Sequence, residues 1–114
     1  MPRQRIEQER AVTPSSGNVF ADLGFADAAE RQTKVRLAFA INQILERRKL
    51  PQGKAARLLG VNQPKVSALS HYRLEGFSVE RLMQFLNALD QDVEIVIRSK
   101  PSSRRGARIV VTAA

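Results

Sequence analysis

From Val35 onward, apolar residues return every three or four positions: Val35, Leu37, Ala38, Ile41, Ile44 and Leu45. That period belongs to one face of an α-helix. It predicts a long helix from Asp27 to about Lys49, with Asp27 as N-cap and Glu30 three residues on, a capping-box pattern with Asp in place of Ser or Thr. The stripe is broad, so one side can face the core and another the N-terminal segment or a second subunit. Upstream, NVFADLGF (residues 18–25) places Val19, Phe20, Leu23 and Phe25 close together. It predicts a short helical turn, docked on the core and ending at Gly24. Residues 1–17 have mixed charge, Pro14, Ser15, Ser16 and Gly17, and little periodicity, as expected of a loose arm.

Pro51 ends the long helix, because proline disfavours helix in the residue before it. A short helix follows over residues 52–59, and Gly60 stands where a helix commonly ends in a left-handed residue. Asn62 can cap the next helix, Pro64 is tolerated in its first turn, and Val61 and Val66 have the spacing of a hydrophobic staple. This helix is expected to run to about Tyr72. Gly76 marks a turn. Ser78 caps a further helix ending near Leu89, with a second staple at Phe77 and Leu82 and a buried stripe of Val79, Leu82, Met83, Leu86 and Leu89. The β-branched alternation of DVEIVIR (residues 92–98) reads as a strand. A lone strand needs a partner. Either residues 108–112 fold back over the 101–106 turn, or the same strand of a second subunit pairs antiparallel. Residues 99–106 read as a flexible linker, which favours the second arrangement, with Val93, Ile95 and Ile97 on one dimerisation face. The stripe of the long helix is the other dimer candidate.

The segment LPQGKAARLLGVNQPKVSAL (residues 50–69) meets several physical demands at once. Two short helices joined tightly at Gly60 make a helix-turn-helix. They cross closely, which requires a small residue at the contact, and Ala56 is placed there. Leu59 returns to the core, Gly60 supplies the positive φ of a sharp turn, and Val61, Val66 and Leu69 bury the inner side of the second helix. An ordinary helical hairpin needs none of these in combination.

Charge supports the same reading. The chain carries 19 Lys plus Arg against 11 Asp plus Glu, a net charge of +8, which favours polyanionic partners. Arg47, Arg48, Lys49, Lys54, Arg57, Lys65 and Arg73 fall in a window, residues 47–74, that contains no acid. Arg98, Lys100, Arg104, Arg105 and Arg108 form a second acid-free cluster. No run approaches the roughly 18 apolar residues of a membrane helix. The polar start is unlike a secretory signal, and the chain has no cysteine for a disulfide framework or thiolate metal site. These features point to a cytoplasmic protein with no cofactor and no metal.

With these residues in view, the chain resembles the Cro/CI-type (Xre) helix-turn-helix regulators, in which a tQxelAxxlGvsqpxvSrl pattern is usual. Within that group it most resembles the HigA-like antitoxin branch, through NVFADLGF, GVNQPKVSAL and LEGFSVERLMQFLNALDQDVEIVI. The resemblance covers residues 18–98. It implies a mainly α, compact, lambda-repressor-like helical domain with a helix-turn-helix and a C-terminal β-strand used in dimerisation. Residues 1–17 would then be an arm and residues 99–114 a basic tail with room for a second strand. It also implies a repressor that binds a palindromic operator as a homodimer, and for HigA-like antitoxins a RelE-type mRNA-cleaving toxin as partner. A free-standing regulator is the alternative. The toxin contact is not legible, although the arm and residues 18–25 are candidates. The chain departs from the family pattern at Pro51, where Ser or Thr usually caps; at Gly53 and Lys54, where acids are common; and at Ala68, where Arg is frequent. Weak capping of the first motif helix is expected, and base specificity cannot be carried over.

A helix-turn-helix places the N-terminal end of its second helix against the bases in the major groove. With Val66 and Leu69 inward and about 100° per residue, Pro64, Ala68 and His71 point outward. Lys65, Ser67 and Tyr72 flank them, and Asn62 and Gln63 lie at the tip. Gln63 can read adenine, and Lys65 can reach guanine or phosphate. Ser67 can bond a base or a phosphate, and Ala68 can meet a thymine methyl. By resemblance, Gln52 anchors a phosphate. Lys54, Arg57 and Arg73 suit backbone contacts.

An enzyme is not expected. His71 is the only histidine, and its neighbour Ser70 does not by adjacency make a nucleophile–base pair. Asp90, Asp92 and Glu94 read as a solvated edge. RNA is disfavoured by an aromatic content of 5% with no stacking platform.

Overall fold

The computed structural model describes residues 18–113, with side chains from Asp27 onward. The expected arm at residues 1–17 lies outside the described residues, as do the side chains of residues 18–25. Four helices follow in order: α1 (Asn18–Arg47), α2 (Gln52–Leu59), α3 (Gln63–Ser70) and α4 (Val79–Ala88). The chain divides into two units, Met1–Gln32 and Thr33–Ala114. In the first, the described residues are helical. The second carries the core and the other three helices.

The expected break before Asp27 is absent: α1 continues from Asn18 through Gly24 and Asp27 to Arg47. A glycine inside a helix costs only about 1 kcal/mol relative to alanine. Asp27 is an exposed residue within the helix, not its cap.

The core draws Leu37, Ala38, Ile41, Ile44 and Leu45 from α1, and Ala55, Ala56 and Leu59 from α2. Val66 and Leu69 come from α3, and Leu82, Phe85 and Leu86 from α4; Leu74, Phe77 and Leu89 close it. The spacings follow from the helical period. Val35 lies on the margin of the α1 stripe and is exposed. Val79 and Met83 pack at the edge, while Phe85, only 2% exposed, takes the centre and meets Phe77 edge-on with ring centroids 5.8 Å apart.

All four helices end alike. After α1, Leu50 N–H donates to Leu45 O; after α2, Val61 N–H to Ala56 O; after α3, Arg73 N–H to Ala68 O; after α4, Gln91 N–H to Leu86 O. Each bond closes a turn on a residue of positive φ, as in the Schellman motif: Lys49 (54°), Gly60 (74°), Tyr72 (59°) and Asp90 (64°). Only α2 uses glycine there.

The C-terminal β-strand is not found. Among the described residues, 92–98 and 108–112 join no sheet. A turn forms at Pro101–Arg104, where Arg104 N–H donates to Pro101 O, but the hairpin does not close over it. Instead Val93 and Val111 lean on the core, while Ile95, Val96, Ile97, Ile109 and Val110 are exposed. The β-branched pattern makes the backbone extended, but a ladder needs a second extended edge in register, and the returning tail packs elsewhere.

Candidate nucleic-acid interface

Helices α2 and α3 pack against each other. Ala55 and Ala56 are buried at the small-residue face of α2, which permits the close crossing. Gly60 turns the chain, its N–H donating to Ala56 O. Pro51 precedes α2 in extended geometry and gives no side-chain cap, as its replacement of Ser or Thr implies. Asn62 caps α3: its Oδ1 accepts the Lys65 N–H at 2.9 Å. Val66 and Leu69 are buried beneath α3.

The opposite side of the motif is open. Gln52, Lys54, Arg57, Asn62, Gln63, Pro64, Lys65, His71 and Arg73 are exposed, and Ser67 is half-buried. Ala68 is half-buried and touches the core instead of pointing fully outward. The chain returns over it after α3, with the Arg73 N–H on its carbonyl at 2.8 Å. Among the described residues, Lys54, Arg57, Lys65 and Arg73 form no ion pair, as expected where the window has no acid.

Two placements were not legible in the sequence. The Gln63 amide reaches back to α2, with Nε2 3.5 Å from the point where a Cβ on Gly53 would lie. The starts of α2 and α3 thus meet through the reading residue itself, and a side chain longer than glycine's at 53 would share its space. Lys65 leans over the turn before α4: its Nζ donates to Gly76 O at 3.3 Å and lies 4.9 Å from the Phe77 ring centroid. A lysine has three N–H donors, so a phosphate contact remains open to it. A glycine at 76 hints at such a close approach; a Cβ there would come within 2.9 Å of the ammonium.

The far end of α3 is tied down. Asn42 Nδ2 of α1 donates to Leu69 O at 3.1 Å. The Ser70 hydroxyl donates to Ser67 O at 2.9 Å, and the His71 ring, through Nδ1, bonds the same carbonyl at 2.8 Å. A carbonyl only accepts, so Nδ1 carries the proton and Nε2 is left to the outer side. Arg48 of α1 likewise donates to Leu89 O at 2.7 Å, at the end of α4. Of the candidate dimerisation residues, Ile95 and Ile97 are exposed and Val93 is half-buried. Among the described residues, no group of His, Asp and Glu could hold a metal ion, and no helix is long and apolar enough to cross a membrane.

Two short helices locked at a left-handed glycine, with a buried inner face and an open cationic outer face, define a helix-turn-helix domain. The family described as "helix-turn-helix domain" matches residues 19–98. A solved structure described as a candidate XRE-family transcriptional regulator is 69% identical. It aligns over 77% of this chain and 99% of that chain with a TM-score of 0.75. The chain belongs to the XRE family of helix-turn-helix proteins. No protein of curated function matches it.

Proposed function

We propose that this protein is a sequence-specific transcriptional regulator, a repressor that reads duplex DNA through α3. The observation that carries this reading is the exposed N-terminal end of α3, where Gln63 and Lys65 stand beside the cations of α2 with no acid among them. Gln63 and Lys65 address base edges. Gln52, Lys54, Arg57 and Arg73 hold the phosphates, which sets affinity and its salt dependence. Asn62, already an acceptor for the cap, has its amide N–H groups left to donate. Ser67, Pro64, Ala68 and His71 complete the outer surface. One motif covers only a short half-site, so two copies act together on a palindrome, with recognition helices roughly 34 Å apart.

Selection of duplexes from a random pool tests the whole reading: enrichment of a palindrome is expected, and no enrichment over the starting pool refutes it. Gln63→Ala with Lys65→Ala should weaken binding to the selected site while the thermal transition stays in place. Unchanged affinity and preference would remove these two residues from the reading surface.

The resemblance of residues 18–98 to HigA-like antitoxins favours a repressor that also binds a RelE-type toxin over a free-standing regulator. Co-expression with the product of an adjacent small basic gene tests that choice. A stable complex supports the antitoxin, and a toxin that stays active leaves the free-standing regulator.

A further inference from the structure

The extended segment 92–98 presents a surface that the chain itself does not cover. Ile95 is 73% exposed, Val96 63% and Ile97 92%. No backbone hydrogen bond is made within it among the described residues. Unpaired N–H and C=O groups flanked by β-branched side chains are a template for strand addition. The charges on the segment say which strand fits. Asp92 and Glu94 lie at its start, and Arg98 and Lys100 at its end, all exposed. The run is therefore acidic at one end and basic at the other, the complement of itself reversed.

We propose that this segment pairs antiparallel with the same segment of a second copy of the chain, in the register that places Val96 opposite Val96 of the other copy. The inference rests on the two-copy reading above and adds its site and register. Directly opposed residues in an antiparallel pair share a face. Centring on Val96 sets Asp92 against Lys100, Glu94 against Arg98 and Ile95 against Ile97, each twice by symmetry. The neighbouring symmetric registers lose this match. Centring on Ile95 opposes Asp92 to Arg98 but Glu94 to Val96. Centring on Ile97 opposes Glu94 to Lys100 but Arg98 to Val96. Centring on Glu94 or Arg98 sets like charges face to face. A self-complementary patch is what a twofold interface requires. The Lys100 ammonium, which donates to Arg104 O at 2.8 Å within its own turn, has donors left for the partner's carboxylate.

Two full-length charge-block variants test the register by sedimentation velocity without DNA: Asp92→Lys with Glu94→Lys, and Arg98→Glu with Lys100→Glu. All four positions are exposed, so the helical domain is retained, which a thermal melt checks. Wild type is expected to dimerise. Each variant alone opposes like charges at four places, and its dimer constant should weaken by on the order of tenfold to a hundredfold, from a few tenths of a kcal/mol to 1 kcal/mol for each cross-strand pair. Mixed one to one, the two variants restore every opposite pair, and a heterodimer near wild-type strength should form. The proposal is overturned by a monomeric wild type at 100-fold above the concentration used for DNA binding, by variants that homodimerise as well as wild type, or by a mixture of folded variants that stays monomeric. Since no DNA is present, the outcome is independent of whether α3 reads sequence.

Discussion

Gly60 separates backbone strain from packing. Its φ is 74°, and a Cβ built on it meets nothing within 4 Å. Gly60→Ala therefore has no steric cost. The left-handed conformation costs an L-residue about 1–2 kcal/mol. Removing a glycine also narrows the unfolded ensemble, which returns about 0.4–1 kcal/mol. The net loss is about 1 kcal/mol, or roughly 4–8 °C in Tm for a domain of this size. Gly60→Asn should cost less, because asparagine visits this region more readily, and Gly60→Val should cost most, because β-branched residues there are true outliers. Urea denaturation reads the series as shifts in midpoint at constant m. The folded Gly60→Ala protein should bind its selected DNA as wild type does, because the turn keeps its angle. A neutral Gly60→Ala, or Asn as costly as Val, would refute the account. So would a DNA affinity that falls while stability does not, since that would mean the strain is relieved by reorienting α3.

The other helix ends give the opposite experiment. Lys49→Gly should raise stability by up to about 1 kcal/mol, because it relieves the same conformation at an exposed position; an unchanged urea midpoint would argue against strain there. Phe85→Ala removes the ring at the centre of the core together with its edge contact to Phe77, at a cost of about 3–5 kcal/mol, a large share of the stability of a small domain. Loss of the cooperative thermal transition near 37 °C checks it. Arg57→Ala should reduce the slope of log affinity against log salt by about 0.9 and lower affinity for all sequences alike. A change in base preference would instead move Arg57 from the phosphates to the bases.

The helices that build the motif were legible because each boundary has a chemical mark: Pro51 before α2, Gly60 after it, Asn62 and Ser78 as side-chain caps. The start of α1 was not, because Asp27 and Glu30 have the spacing of a capping box and remain compatible with a helix interior. The ends at Lys49, Tyr72 and Asp90 carry no glycine or asparagine signal; the fold imposes the left-handed residue there. On α4, the stripe from Val79 to Leu89 gave the buried face but passed over Phe85, one position from its line. On α3, angular reckoning placed Gln63, Pro64 and His71 outside as observed, and misjudged Ala68, because the chain that covers it arrives after the helix has ended. Residues 92–98 show the limit of a strand pattern: alternation specifies an extended backbone, and pairing depends on an edge that the same chain does not supply.

The bonds that fix α3 all end on main-chain atoms. Asn42 holds the Leu69 carbonyl, Arg73 holds that of Ala68 through its own backbone, and Gly60 and Asn62 set the entry. None of them depends on which side chain stands at Gln63, Pro64 or Ser67. The helix is thus a mount whose outer residues can be exchanged without loosening it. Relatives, or designed variants, can acquire new operators by changing those few positions while the domain keeps its stability.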